Sequence, residues 1–250
     1  MPKTQSLNGT WELTWAEGAC LMTPEYYQGV ALSGRKMMPA CVPAPIHRVL
    51  QDAGILDDIN VGLNSLKARW VEEMFWIYRH TFTVSAEAAS QHVWLVFDQL
   101  EFEAEVSVNG VEIGRHVNAN RPTRFEVTGR VKAGENLVVV KISSGLHSAA
   151  DKPSLDYRTG VIGTLTKRHW LRKPQYQSGW DWSARLMNVG ILGDVRLEWS
   201  RVPRLGQVSA FAVPKSDLSE AVVSVRATVE GLDDSPVPAT LRARIVETGQ

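Results

Sequence analysis

The chain has 250 residues, which is enough for one large domain or two small domains with buried cores. Its 27 Lys and Arg residues balance its 27 Asp and Glu residues, so it lacks the broad cationic surface typical of nucleic-acid binders. No apolar run approaches the roughly 18 residues of a membrane span, and residues 1–9 contain no apolar signal segment. We therefore expect no nucleic-acid partner, no membrane association and a cytoplasmic location.

Cysteine and histidine are too sparse to indicate a metal centre. The two cysteines, Cys20 and Cys41, form no C-x-x-C motif and are too few for a disulfide framework. The six histidines show no paired spacing of the kind that zinc sites use. We expect both thiols to be reduced, and we expect neither a metal nor another cofactor.

The first element that the pattern predicts is a short helix over 45–53. Pro45 suits the start of a helix, Gly54 suits the position beyond its end, and the apolar residues between them share one face. Strands are predicted where β-branched and aromatic residues are dense or alternate with polar ones. These segments are 75–84, 92–97, 102–108, 136–142, 194–199, 221–231 and 239–247.

The strongest local signal is the segment 102–108, which reads FEAEVSV. Its apolar residues alternate with two glutamates and a serine, which predicts a half-buried strand. Asn109 and Gly110 follow, and both residue types tolerate a positive φ angle. The sequence therefore predicts a tight hairpin between this strand and the next segment, VEI.

Many short strands, turns between them and almost no helix predict an all-β chain of antiparallel β-sandwiches. All nine Trp residues precede residue 200, where the composition changes. We predict one sandwich over residues 1–200 and a second that begins at 203 and is cut off by residue 250. Because two or three strands cannot close a core, we expect these residues to be the front of a longer chain.

Two indoles flank one carboxylate in the sequence Trp180-Asp181-Trp182. An indole face suits the C–H face of a pyranose ring, and a carboxylate accepts hydrogen bonds from two sugar hydroxyls. The motif therefore predicts a sugar clamp. The alternative is that both rings pack beneath a sheet edge while Asp181 caps a turn. In an extended strand, both rings would share one face with Asp181 opposite.

Two other charged segments are weaker candidates. Glu72 and Glu73 point to opposite faces of an extended chain, so we expect a solvated lead-in to a strand rather than an acid–base pair. The segment 167–173, KRHWLRK, is basic, but a chain without net charge is a poor phosphate or nucleic-acid binder. We expect a solvated loop in which Arg172 or Lys173 orients a carboxylate such as that of Asp181.

Five segments, in this order, resemble the N-terminal part of glycoside hydrolase family 2 β-mannosidases. The resemblance covers about residues 6–200, and its most specific part is the W-D-W motif that follows R-K-x-Q. The segments are LNGTWEL (7–13), CVPAPIHRVLQDAGILDD (41–58), WVEEMFWIYRHTF (70–82), LVFDQLEFEAEVSVNGVEIG (95–114) and LRKPQYQSGWDWSARLMNVGILGDVRLE (171–198).

The resemblance implies a galactose-binding-like jelly-roll domain over 1–200, followed by the first strands of an immunoglobulin-like domain over 203–250. It also implies a catalytic (β/α)8 barrel that is absent from this chain and that holds both catalytic glutamates. Family members remove terminal β-D-mannosyl residues with retention. The implied partners are a β-mannoside or related oligosaccharide and the protein's own barrel, so we expect this chain alone to be catalytically silent.

In the family, the W-D-W loop leans into the pocket of the barrel, where its Asp helps to bind the terminal mannose. The matching residue is Asp181, and Trp180 and Trp182 match the flanking aromatic residues. The family's Gly-Pro after this motif is Ser183-Ala184 here, which changes the backbone freedom of the loop. Further departures are Ala44 for a family Gly and Leu192 for a family Trp.

These departures permit another specificity within the family, such as that of an exo-β-glucosaminidase or a mannosylglycoprotein endo-β-mannosidase. Two alternatives come from other classes. One is a stand-alone, non-catalytic carbohydrate-binding module with a sugar site of its own. The other is a purely structural sandwich in which the W-D-W residues belong to the core.

Overall fold

A computed structural model describes residues 2–17, 23, 25, 28–153, 167–230, 238, 240–244 and 246. The described chain is built mainly from antiparallel strands with a few short helices, which confirms the predicted all-β class. It divides into two compact units, one over Thr4–Trp199 and one that joins Met1–Lys3 to Ser200–Gln250.

Short helical segments lie between several of the strands. The strands are β1 (Lys3–Ser6), β2 (Gly9–Ala16), β3 (Met38–Val42), β4 (Ala44–Pro45), β5 (Phe75–Val84), β6 (His92–Phe97), β7 (Leu100–Glu101), β8 (Glu103–Val108), β9 (Val111–Val117), β10 (Thr123–Glu126), β11 (Gly134–Ser143), β12 (Gly190–Ile191), β13 (Val195–Ser200), β14 (Arg204–Pro214) and β15 (Ala221–Glu230). The α-helices whose bounds lie among the described residues are Ile46–Asp52, Asn64–Lys67, Ala86–Ala89 and Leu146–Ala150, and the corresponding 3-10 helices are Val30–Leu32, Ala68–Glu73, Arg168–Trp170 and Gln175–Ser178.

Two larger sheets and a small one form the sandwich. The six-stranded sheet has the order β3-β2-β5-β11-β8-β9, and the four-stranded sheet has the order β1-β13-β6-β10. The small sheet, β4-β12-β7, joins the segment before the helix Ile46–Asp52 to the segment after the W-D-W motif. Large buried side chains fill the core, among them Trp11, Trp76, Tyr78, Leu95 and Phe97.

The predicted hairpin is present between β8 and β9. Asn109 and Gly110 have φ angles of 50° and 81°, the left-handed conformation that a two-residue hairpin turn requires. The Asn109 side chain also fixes the neighbouring strand, since its Oδ1 accepts a hydrogen bond from the Leu137 backbone N at 2.9 Å. The helix predicted over 45–53 is confirmed as Ile46–Asp52, with its apolar residues buried.

The predicted strands of the sandwich are confirmed within one or two residues at each end. In the other unit, β14 and β15 form an antiparallel hairpin, which confirms the strand predicted over 221–231 as far as residue 230. Residue 231 lies outside the described residues. The strand predicted over 239–247 has no counterpart at its described positions, 240–244 and 246. The assignment of this unit to an immunoglobulin-like domain stays a prediction.

Candidate functional site

The Trp180-Asp181-Trp182 motif lies at the tip of a tight turn. The 3-10 helix Gln175–Ser178 leads into it, and Gly179 follows with φ 110° and ψ 142°, a conformation that favours glycine. Trp180 and Ser183 then pair across the turn, with N-to-O distances of 3.4 and 3.3 Å. The motif is therefore not part of a regular strand.

Both indoles of the motif are open to solvent. Trp182 is 84% exposed and Trp180 is 49% exposed, and Asp181 between them is exposed as well. The two rings meet edge to face, with centroids 6.4 Å apart and an interplanar angle of 87°. The alternative that places these residues in the core is therefore wrong. Exposed aromatic side chains in contact with each other are typical of ligand-binding surfaces rather than of structural cores.

A cleft of about 800 Å³ opens beside this turn. Its volume lies within the range usual for small-molecule sites. Both Trp180 and Trp182 line it, whereas Asp181 is at the tip of the turn and is not among its lining residues. Two chain segments supply the walls: Ile59, Asn60 and Ser65 come from one, and Gln175, Tyr176, Trp180, Trp182, Ser183, Ala184 and Leu186 come from the other.

The segment with Ile59, Asn60 and Ser65 was missed by the sequence analysis. It follows the last residue of the resembling segment 41–58. Its backbone is organised by Asp58, whose Oδ1 accepts hydrogen bonds from the Asn60 backbone N at 2.9 Å and from Asn60 Nδ2 at 3.0 Å. Closely spaced Asp and Asn residues, whose side chains can bond to the nearby backbone, are the sequence signal that could have identified this structured loop.

Beneath the turn, Lys173 lies in a buried ion pair. Its Nζ atom is 3.5 Å from Glu101 Oε1, and both side chains are buried. The Lys173 ammonium also donates hydrogen bonds to the carbonyl oxygens of Asn188 at 2.5 Å and Ser144 at 3.4 Å. Lys173 is thus buried rather than solvated, and its carboxylate partner is Glu101 rather than Asp181.

Arg172 points the other way from its neighbour. It is exposed, and its carbonyl oxygen accepts a hydrogen bond from the Ala119 backbone N at 2.9 Å. Among the described residues, neither Arg172 nor Asp181 has an ion-pair partner. The predicted role of Arg172 or Lys173 in orienting Asp181 therefore has no contact to support it in this part of the chain.

Burial dominates the electrostatics of the Lys173 pair. It lowers the pKa of Lys173 to about 8, and the attraction of Glu101 opposes that shift. It raises the pKa of Glu101, and the Lys173 charge and a hydrogen bond from Gln177 oppose that shift. Burial and the Lys173 charge also lower the pKa of His47 to about 4. Lys173, Glu101 and His47 therefore form a buried polar region, in which the charge of Lys173 affects the pKa of both other groups.

The expectation of a solvated Glu72 is wrong. Residues Ala68–Glu73 form a 3-10 helix rather than an extended lead-in, and this turn directs Glu72 into the interior, where it is fully buried. Its carboxylate accepts a hydrogen bond from Arg185 Nη2 at 2.6 Å and one from the Met187 backbone N at 3.3 Å. Glu73 is exposed, as predicted.

The structure also bears on metals and membranes. Among the described residues, no group of three His, Cys, Asp or Glu side chains is placed to hold a metal ion. Cys41 is an exposed free thiol, and Cys20 lies outside the described residues. In the part of the chain that the structure describes, no helix has the length and apolar character needed to cross a membrane.

A family profile described as the glycosyl hydrolase 2 galactose-binding domain-like family matches residues 25–193. The chain belongs to this family. Its resemblance to β-mannosidases, read from its motifs, is confirmed by curated relatives. Beta-mannosidase B of Emericella nidulans is 37% identical over 160 residues, which cover 63% of this chain and 19% of that protein. The Aspergillus terreus beta-mannosidase B is 36% identical over 205 residues, covering 80% of this chain and 24% of that protein.

One solved structure gives the same result, and another shows the shared fold. The beta-D-mannosidase from Dictyoglomus thermophilum superposes with a TM-score of 0.75 at 27% identity, covering 92% of this chain and 26% of that one. The exo-chitosanase CsxA of Amycolatopsis orientalis has a TM-score of 0.59 at 20% identity, which shows a shared fold alone. The chain spans about a fifth to a quarter of the length of the curated relatives that it matches first.

Proposed function

We propose that this chain supplies one wall of the sugar pocket in a retaining exo-glycosidase that removes terminal β-D-mannosyl residues. The observation that carries the proposal is the exposed Trp180-Asp181-Trp182 turn, which borders a cleft of about 800 Å³ on a domain homologous to that of β-mannosidases. In this proposal the Asp181 carboxylate accepts hydrogen bonds from hydroxyls of the terminal sugar. Trp180 and Trp182 offer apolar faces to the ring.

The catalytic step itself belongs to another part of the protein. Retaining hydrolysis needs an acid/base and a nucleophile, two carboxyl groups about 5–5.5 Å apart. We assign both to a (β/α)8 barrel further along the polypeptide, a partner consistent with the small share of the relatives that this chain covers. The 250-residue chain alone should leave an aryl β-D-mannoside intact.

The test compares variants of the complete protein that carries this domain. We expect Asp181→Ala to lower kcat/KM for an aryl β-D-mannoside by about 10- to 100-fold, since a hydrogen bond to a charged group contributes about 1.5–3 kcal/mol. Asp151→Ala is the control, because that carboxylate is exposed and does not line the cleft. A wild-type kcat/KM for Asp181→Ala would show that the turn does not form part of the sugar pocket.

A substrate panel tests the specificity. Ser183-Ala184 replaces the family's Gly-Pro directly after the motif, so the turn need not present Asp181 as it does in β-mannosidases. Aryl β-D-mannoside and aryl β-D-glucosaminide should be compared at equal enzyme concentration. A higher kcat/KM for the glucosaminide would replace the mannosidase assignment with that of an exo-β-glucosaminidase.

A non-catalytic carbohydrate-binding module is the second candidate. It is favoured by one observation: the cleft and both exposed indoles lie within the single unit Thr4–Trp199. Titration of the 250-residue chain with methyl β-D-mannoside, followed by NMR, separates the two. Saturable binding that Trp182→Ala abolishes would favour the module, whereas the pocket-wall proposal expects measurable binding only in the complete protein.

A further inference from the structure

We propose that Lys173 and Glu72 are positioning residues, which hold the two ends of the Trp180–Trp182 turn in one fixed orientation through buried ion pairs. The proposal rests on the proposed function only for what the turn binds. How the turn is held depends on contacts within the domain. Neither residue touches the cleft, so neither is assigned a direct contact with sugar.

Lys173 joins the chain before the turn to the chain after it. It precedes the motif, and its ammonium donates to the carbonyl oxygen of Asn188, which follows the motif, at 2.5 Å. Its charge is balanced by Glu101 on β7, at 3.5 Å. One buried cation therefore fixes both ends of the loop to the small sheet of the sandwich.

Gln177 strengthens the same connection. Its carbonyl oxygen accepts a hydrogen bond from the Leu186 backbone N at 3.0 Å, and its side-chain Oε1 accepts one from the Asn188 backbone N at 3.1 Å. Because the Gln177 side chain is buried, water cannot readily replace these bonds.

Glu72 holds the end that follows the turn from a different part of the chain. Its two carboxylate oxygens accept hydrogen bonds from Arg185 Nη2 and from the Met187 backbone N. Arg185 comes shortly after the W-D-W motif, so the returning chain is fixed to the 3-10 helix Ala68–Glu73. A charge-assisted bond at 2.6 Å to a fully buried carboxylate is geometrically restrictive.

Among the described residues, the tip of the turn makes few contacts that would fix its orientation independently. Its cross-turn hydrogen bonds, between Trp180 and Ser183, are long at 3.4 and 3.3 Å, and Trp182 is almost fully exposed. The buried contacts of Lys173, Gln177 and Glu72 form the base of the loop. This base therefore sets the direction in which the two indoles and Asp181 point. Sites that must hold their first layer of residues in place depend on such supporting bonds.

The test measures amide hydrogen exchange in residues 178–186 of the 250-residue chain by mass spectrometry, without sugar. Lys173→Met and Glu72→Gln each remove a charge and keep the side chain's size. Val138→Ala is the matched control: this fully buried residue of β11 pairs with His80 and Val108, away from the turn. We expect exchange to accelerate at least about tenfold in the first two variants and to stay near wild type in the third.

A spectroscopic readout reports on the indoles directly. In protein labelled with 5-fluorotryptophan, the fluorine signals of Trp180 and Trp182 are assigned by replacing each with Phe. We expect both signals to move toward the shift of the free amino acid in Lys173→Met and Glu72→Gln, because the edge-to-face contact at 6.4 Å is lost. Lys173→Arg keeps the charge and should retain part of the native shift.

Two results would overturn the proposal: exchange at the wild-type rate in both charge variants, or an equal acceleration in Val138→Ala. If Lys173→Met does not fold, the double variant Lys173→Met with Glu101→Gln removes both buried charges and takes its place. Because no sugar is present, these outcomes are independent of the Asp181 kinetics. Native kinetics for Asp181→Ala combined with accelerated exchange would reject the proposed function and keep the positioning role.

Discussion

The base and the tip of the loop over residues 171–188 both contain charged side chains, but in opposite surroundings. At the base, Lys173 is buried against Glu101, whereas at the tip, Asp181 and Trp182 are exposed. The Lys173 ammonium directs its hydrogen bonds to carbonyl oxygens of the protein, whereas an exposed carboxylate between two indoles can still accept hydrogen bonds from a ligand. The comparison separates residues that fix the loop from residues that are free to contact a sugar.

If the base is structural, breaking its ion pair should cause the largest loss of stability. Lys173→Met leaves Glu101 buried without its counter-charge, which should lower the free energy of unfolding by about 3–5 kcal/mol. Adding Glu101→Gln should restore much of that loss, since both charges are then gone. Urea denaturation of the two variants measures both effects.

The exposed pair between Arg48 and Asp52, at 2.9 Å, is the control for this cycle. Asp52→Ala should change the free energy of unfolding by about 1 kcal/mol or less, because water screens the pair. Equal losses in the free energy of unfolding for Asp52→Ala and Lys173→Met would contradict the claim that burial makes the Lys173 pair the more important one for stability.

Acid should act on the same buried region through His47. Its pKa in the folded chain is about 4, below the ordinary 6.5, so between these values the unfolded chain binds a proton that the folded chain excludes. The stability contributed by His47 is therefore present above pH 6.5 and is lost as the pH falls through 4. The loss amounts to about 3 kcal/mol.

Urea denaturation between pH 4 and 8 measures this dependence. The variant His47→Leu should show a flatter fall in the free energy of unfolding than the wild type, and His169→Asn, at an exposed side chain, should not. Parallel curves for His47→Leu and the wild type would show that the acid sensitivity arises elsewhere.

Gly179 stands between base and tip, and its substitution should have an intermediate effect. At φ 110° and ψ 142°, any residue with a Cβ atom is strained, so Gly179→Ala should cost about 1–3 kcal/mol. Thermal unfolding measures the loss. Ala184→Gly, on the other side of the turn and exposed, should lower the melting temperature much less. The reverse order would show that the backbone at Gly179 relaxes freely.

The strands, the hairpin and the short helix were predictable because their signals are local. Alternation in 102–108 reflects one buried and one exposed face, and Asn109-Gly110 has the torsion angles that its turn needs. A strand was also predicted over 239–247 from its alternation, yet its described positions are not in one. Alternation alone does not supply a pairing partner.

The buried base was not predictable, since its partners are far apart in sequence. Arg185 and Glu72 are separated by 113 positions, and neither segment contains a sequence motif that indicates their ion pair. Lys173 was expected in a solvated loop because cations cluster in 167–173, but its neighbour Arg172 is the one that stays exposed. The W-D-W motif identified the candidate site, whereas its exposure was fixed by the turn geometry at Gly179.

Substitutions at two tryptophans contrast the smallest expected change in the free energy of unfolding with a large one. Trp76→Ala removes a fully buried ring whose Nε1 donates to the Val71 carbonyl at 3.0 Å, and it should cost about 3–5 kcal/mol. Trp182→Ala removes a ring that is 84% exposed, so the free energy of unfolding should change by about 0.5 kcal/mol or less. In the complete protein, the same Trp182→Ala variant should raise KM for an aryl β-D-mannoside, because the indole face is lost from the pocket wall. If Trp182→Ala lowered the free energy of unfolding strongly and left KM unchanged, the Trp182 indole would stabilise the turn rather than contact the sugar.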